Sequence, residues 1–139
     1  MEKHNTVAFS LGGMYFEYDE AKEKTNRRKH GISFRSAARV FFDYDLIETV
    51  DEEHSENELR YDVIGDTSAG DERLLEYGRA KLLIGNVREL AYEVDDVVYV
   101  VYTERIGRNI DGQSVNVIRM ISARLADEFE RGLYYGKYR

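Results

Sequence analysis

Cations set near an acid and a histidine are the residues of this chain with the most chemistry in them. The tract Arg27-Arg28-Lys29-His30 precedes Gly31, Thr103-Glu104-Arg105 follows an unbroken apolar run, and Arg119 and Arg124 lie in and just after a second β-rich run. Guanidinium and ammonium groups hold anions, and a carboxylate or imidazole beside them can move a proton. Structural readings stand beside the functional one. The first tract suits a helix C-terminus, where the dipole favours positive charge by about 0.3–1 kcal/mol, and Glu104 with one Arg can form a salt bridge. If the two β-rich runs pair, Arg105, Arg119 and Arg124 converge near one sheet edge with Glu104 beside them.

Other chemistries lack their residues. There is no P-loop, GxGxxG, HExxH or GxSxG, so nucleotide binding, zinc hydrolysis and a serine triad have no support. The absence of Cys removes disulfides, thiolate catalysis, iron–sulfur clusters and Cys-based zinc sites, and fits a reducing cytosol. A multi-histidine site would need all of His4, His30 and His54, whose contexts do not suggest one, so chemistry without metal or cofactor is expected. The longest apolar run, Val97 to Tyr102, is six residues, against about 20 for a membrane span. The first thirteen residues lack the features of a secretory signal and read as a leader or an extra edge segment. A cytoplasmic location is expected.

Charge is segregated within a chain of net charge −7. That total argues against a non-specific nucleic-acid coat. Residues 22–39 carry seven Lys or Arg (Lys22, Lys24, Arg27, Arg28, Lys29, Arg35, Arg39) against Glu23, whereas residues 43–58 carry eight acids and no Lys or Arg. The basic run suits an anion and the acidic run a basic partner; each can also be a solvated face.

The elements that must position these groups read as follows. With 139 residues, 42% hydrophobic, the chain forms one domain with one core. Met14–Tyr18 alternates as a strand, Asp19 caps a helix that stops at Gly31, and Ser33 caps a second helix with Phe34, Ala37, Ala38 and Phe41 on one stripe. Leu46–Val50 is a strand, residues 57–79 read as an insertion in which RYDVIG (Arg60–Gly65) could be a strand and DERLLEYG (Asp71–Gly78) a helical turn or a loop, and Lys81–Val87 and Tyr92–Thr103 are β-rich. In Val115–Ser122 an otherwise apolar face carries Arg119. A last helix spans about Leu125–Tyr135, with Leu125, Phe129 and Leu133 on one side. The expected class is α+β: an N-terminal strand and helix pair, a three- to four-stranded antiparallel sheet, and a C-terminal helix.

Five ordered segments carry a family resemblance: FEYDEAKEKTNRRKHGISFRSAARVFFD (Phe16–Asp43), DEEHSE (Asp51–Glu56), LLIGNV (Leu82–Val87), VVYVVYTER (Val97–Arg105) and IRMISAR (Ile118–Arg124). Together they resemble the BrnT toxin family, whose pattern reads approximately FEWDEAK, KHGISFEEA, DxxHS, a strand ending in IG, VVYTER and RIISAR. Tyr18 stands where that pattern has Trp, and residues 57–79 and Ile110–Ser114 look like insertions.

The resemblance implies a RelE-like fold and an endoribonuclease toxin of a type II toxin–antitoxin system. It implies RNA as substrate, a BrnA-type antitoxin as partner, and operator DNA contacted through that antitoxin. Metal-independent cleavage requires a base for the 2′-OH, cations for the phosphorane and an acid for the 5′-oxygen. On that reading Arg105, Arg119 and Arg124 hold phosphate, Arg27, Arg28 and Lys29 bind RNA, and His30 or Glu104 transfers the proton, with His54 a second choice. Some of the eleven Tyr can stack bases, although most suit core or sheet positions. The alternative is an inactive or weak antitoxin-binding module that acts mainly in autorepression, which the negative net charge favours.

Overall fold

The structure is a computed structural model that describes residues 5–53, 58–76 and 92–136. Strands β1 (Thr6–Leu11) and β2 (Met14–Asp19) form a hairpin. Its two-residue turn, Gly12-Gly13, has φ of 55° and 84°, the positive values that a type I′ turn needs and that glycine adopts without strain. Asp19 then caps α1 (Glu20–His30), accepting from the Lys22 N–H at 3.0 Å. Gly31, at φ 70°, ends the helix by donating its N–H to the Arg27 carbonyl at 2.8 Å. Ser33 caps α2 (Phe34–Ala37), and the chain tightens at once into a 3-10 helix, Ala38–Phe42.

The remaining elements are β3 (Ile47–Asp51), β4 (Arg60–Asp66), α3 (Thr67–Glu76), β5 (Val97–Arg108), β6 (Ser114–Leu125) and α4 (Glu128–Tyr134). The strands make one six-stranded sheet in the order β1-β2-β6-β5-β4-β3, antiparallel except where β2 runs parallel to β6. One face carries Phe16, Tyr18, Val63, Val98, Val100, Tyr102, Ile118 and Met120 against Ile32, Phe34, Ala37, Val40 and Phe42 from the helical side. Past Met120, β2 has given way to α1, so β6 loses its strand neighbour there. The Asn26 side chain takes that neighbour's place, donating to the Ala123 carbonyl at 2.7 Å and accepting from the Ala123 N–H at 3.1 Å. On the opposite face, α4 covers one end of the sheet, where Leu133 and Tyr134 pack on Ile64, Val97 and Ala126.

The α+β class holds, but the sheet is larger than predicted and mixed. Thr6–Leu11 adds an edge strand within the segment read as a leader or edge. Arg60–Asp66 is the strand between β3 and β5, so this part of the supposed insertion belongs to the sheet. The last helix starts at Glu128 because Leu125 still pairs with Val98, and Phe129 is exposed; of the predicted stripe, Leu133 packs inward. The strand predicted at Lys81–Val87 and the candidate His54 lie outside the described residues.

Candidate active site

The sheet face opposite α1 to α3 carries the site. Side chains alternate along a strand, and the pairing register lines up Glu17, Arg119, Thr103 and Arg60 across β2, β6, β5 and β4, with Tyr15, Val117 and Arg105 in the next row. Arg119 Nη1 donates to Glu17 Oε2, and Arg105 Nη1 lies 3.8 Å from the same oxygen. Arg105 also forks onto Glu58, with Nε 3.1 Å and Nη2 3.3 Å from its two oxygens. Thr6 Oγ1 accepts from Arg119 at 3.4 Å, so β1 reaches the cluster too. Two guanidiniums and two carboxylates thus meet on open sheet surface.

Solvent divides the four unequally. The Glu17 and Arg119 side chains are each 19% exposed, whereas Arg105 is 45% exposed, so the first pair is the less screened. The Arg105 hydrogen bond holds the Glu58 carboxyl below its ordinary value, and Glu58 raises Arg105 in turn. Arg–carboxylate forks have the geometry that a phosphate's oxygens also satisfy. An incoming phosphodiester can therefore take over donors already aimed at one place.

The other predicted residues are distributed differently. Arg124 shares the open face but sits opposite Tyr99, five positions along β6 from Arg119. There its guanidinium lies 4.3 Å from the Tyr99 ring centroid and forks onto Glu130 at 2.7 and 2.8 Å. Glu130 accordingly raises the Arg124 pKa. Strand alternation puts Glu104 on the face opposite Arg105, exposed. Arg27, Arg28, Lys29 and His30 end α1, on the helical side of the sheet. Arg27 pairs with Glu23 at 2.8 Å and lies over the Tyr92 ring, while Arg28, Lys29 and His30 are exposed. The structure therefore brings together Arg105 and Arg119 in mid-sheet, where an edge was expected, and separates both from Glu104, Arg124 and His30.

Glu17 and Glu58 were missed as partners of these arginines. Glu17 stands in FEYDEAK, but only the parallel pairing of β2 with β6, a contact across about a hundred residues, puts it beside Arg119. Glu58 lay in the acidic run and carried no motif of its own.

Arg39 leaves the set of anion-binding cations. It is buried, and its guanidinium bonds Asp71 at 2.6 Å, Asp95 at 2.9 Å, Ser36 Oγ at 2.6 Å and the Val94 carbonyl at 2.7 Å, with Glu93 at 3.4 Å. Asp71, Glu93 and Asp95 are close enough together to suit a cation, and this guanidinium supplies one. Asp43 of the acidic run is likewise internal. Its carboxylate accepts from the Asp66 N–H at 2.8 Å and the Tyr134 hydroxyl at 2.5 Å.

Among the described residues no helix is long and apolar enough to cross a membrane. No curated protein matches the chain. A family-model match takes in α1 to α3, β3, β4 and Glu58, and stops before the strands that carry Arg105 and Arg119. Over residues 18–76 the chain matches the family model described as the ribonuclease toxin BrnT of type II toxin–antitoxin systems.

Proposed function

We propose that this chain is an endoribonuclease toxin with a RelE-like fold, acting in the cytoplasm, that cuts RNA without a metal and is neutralised by a BrnA-type antitoxin, through which alone it meets operator DNA. The observation that carries the catalytic reading is the convergence of Arg105 and Arg119 on Glu17, on a sheet face that the described helices leave open beside them. In the proposed reaction the two guanidiniums take the non-bridging oxygens of one phosphodiester. Glu17, released from Arg119 by that phosphate, accepts the proton of the 2′-OH. The 2′-oxygen bonds to phosphorus, the P–O5′ bond breaks, and the 5′-oxygen leaves with a proton from solvent. The products are a 2′,3′-cyclic phosphate and a 5′-hydroxyl. Fixed cations aimed at developing charge are worth more than flexible ones because they need no reorganisation as the reaction proceeds.

Arg28 and Lys29, exposed at the end of α1, are assigned to RNA flanking the cut, because the sheet separates them from it. Arg124 supports the far end of the same face. The test is cleavage of single-stranded RNA in excess EDTA, with end groups identified by mass. Cyclic phosphate ends are expected. Activity that EDTA abolishes and magnesium or zinc restores would overturn the mechanism. A folded protein with no cleavage at all would favour the second reading, an antitoxin-binding module, which the net charge of −7 also favours.

A further inference from the structure

The two edges of the sheet differ. β3 is short and carries Glu48 and Asp51, charges of the kind that keep an edge from pairing with other strands. β1 reads TVAFSL, with no charge and no proline, and among the described residues no strand lies beyond it. It also lies outside the family match, which begins at residue 18. The Glu20 N–H donates to the Asn5 carbonyl at 2.9 Å. In antiparallel pairing the bonded positions alternate, so Val7, Phe9 and Leu11 bond inward to β2. Thr6, Ala8 and Ser10 consequently turn their N–H and C=O groups outward, and all three are exposed. Three donor–acceptor pairs along an uncharged edge are the main-chain half of a β-augmentation site.

The ground beside this edge carries three cations against two acids, Lys24 lying 3.7 Å from Glu20 and Arg27 2.8 Å from Glu23. A cleft of about 240 Å³, lined by Val7, Glu20, Glu23, Lys24, Arg27 and Arg35 among others, opens beside Val7 on the helical side of β1. The Arg35 guanidinium lies over the Phe9 ring at 5.2 Å. Residues 20–35 carry six Lys or Arg against two Glu in a chain whose net charge is −7. A second copy pairing through β1 would bring two such regions together, whereas a strand with acidic side chains on alternate positions matches both backbone and charge.

We infer that β1 receives an extended acidic segment of the antitoxin as a seventh strand, its carboxylates lying toward Lys24, Arg27 and Arg35. This rests on the reading of the chain as an antitoxin-held toxin.

The probe is a blocked octapeptide of alternating Glu and Val, with a Lys–Val peptide as its counterpart, titrated into the wild-type protein. Binding is followed by anisotropy and by amide hydrogen exchange. The acidic peptide is expected to slow exchange at Thr6, Ala8 and Ser10 and leave the already paired Val7 and Phe9 unchanged. Ala8→Pro and Ser10→Pro each delete an outward N–H and no β1–β2 bond, and should weaken binding roughly tenfold. Ser10→Pro, farther along β1 from Glu17, should cut RNA as the wild type does. Absence of binding, equal binding of the Lys peptide, or binding without protection of those three amides would overturn the inference. So would protection that grows with protein concentration in the absence of peptide, which would mean pairing between copies. The titration contains no RNA and the cleavage assay no peptide, so either can fail alone.

Discussion

At the residue scale, the proposed chemistry rests on two adjacent register rows. Arg119 and Glu17 are neighbours because β2 and β6 run parallel, and Arg105 joins them from the next strand. Removing a fixed donor to a developing oxyanion costs about 2.7–4 kcal/mol in transition-state stabilisation. Arg119→Ala is therefore expected to lower kcat about 10²- to 10³-fold with little change in melting temperature, and Arg105→Ala to act in the same direction. Arg124→Ala should show the reverse pattern, because its fork to Glu130 and its place on Tyr99 tie α4 to the sheet: melting falls and kcat stays within a few-fold. Cleavage rates beside melting curves separate the two patterns. Equal losses of kcat at positions 119 and 124 would mean that Arg124 belongs to the reacting cluster after all. Glu17→Gln retains the shape without the base. It should lower kcat about 10²- to 10⁴-fold while RNA still binds.

Elements show why some of this was legible and some was not. Asp19, Gly31 and Ser33 announce helix boundaries through local chemistry, and the structure uses all three as read. The unbroken apolar run Val97–Tyr102 announces a strand, and it lies mid-sheet. β4 was half legible: Arg60-Tyr61-Asp62-Val63 alternates as a strand does, but Ile64, Gly65 and Asp66 break the pattern, and its place is set by β3 and β5 on either side, information absent from the segment. The last helix was begun too early because Leu125 continues an apolar spacing while pairing as a strand. For the site, the arginines were visible as residue types, but their carboxylate partners depend on strand order. Asn26, unremarkable in sequence, substitutes for a strand at the end of β2. Asn26→Ala leaves the Ala123 N–H and C=O buried without those partners, at about 1–3 kcal/mol for each group left unsatisfied. A drop in melting temperature of several degrees is expected, together with faster amide exchange at Ala123. An unchanged melting curve would show that this junction is not a support of the fold.

Across the whole molecule, charge is handled in three distinct ways. Basic residues 20–35 border the uncharged edge strand, carboxylates steady the arginines on the open face, and Arg39 is enclosed by acids where α3 and residues 92–96 meet the 3-10 helix. The pH response of the wild type follows from the groups whose values move. Arg105 lowers Glu58, and Arg131 lowers Asp96 by a hydrogen bond at 2.8 Å. A carboxyl lowered in the folded state contributes stability above its ordinary value and loses it as the pH falls through the folded value. The wild type should therefore weaken on acidification below the usual carboxylate range, and only slightly from these two partly exposed pairs. Arg39→Met should cost more. Without the guanidinium, Asp71, Glu93 and Asp95 lose the cation they share, and breaking a buried pair by removing one partner costs on the order of 3–5 kcal/mol. The variant should therefore be much less stable than wild type near pH 7, and Arg39→Lys, which keeps the charge but not the fork, should recover part of the difference. Urea unfolding of the three proteins measures this directly. Equal losses in the two variants would show that Arg39 acts through its packing and its bonds to Ser36 and Val94, with its charge contributing nothing.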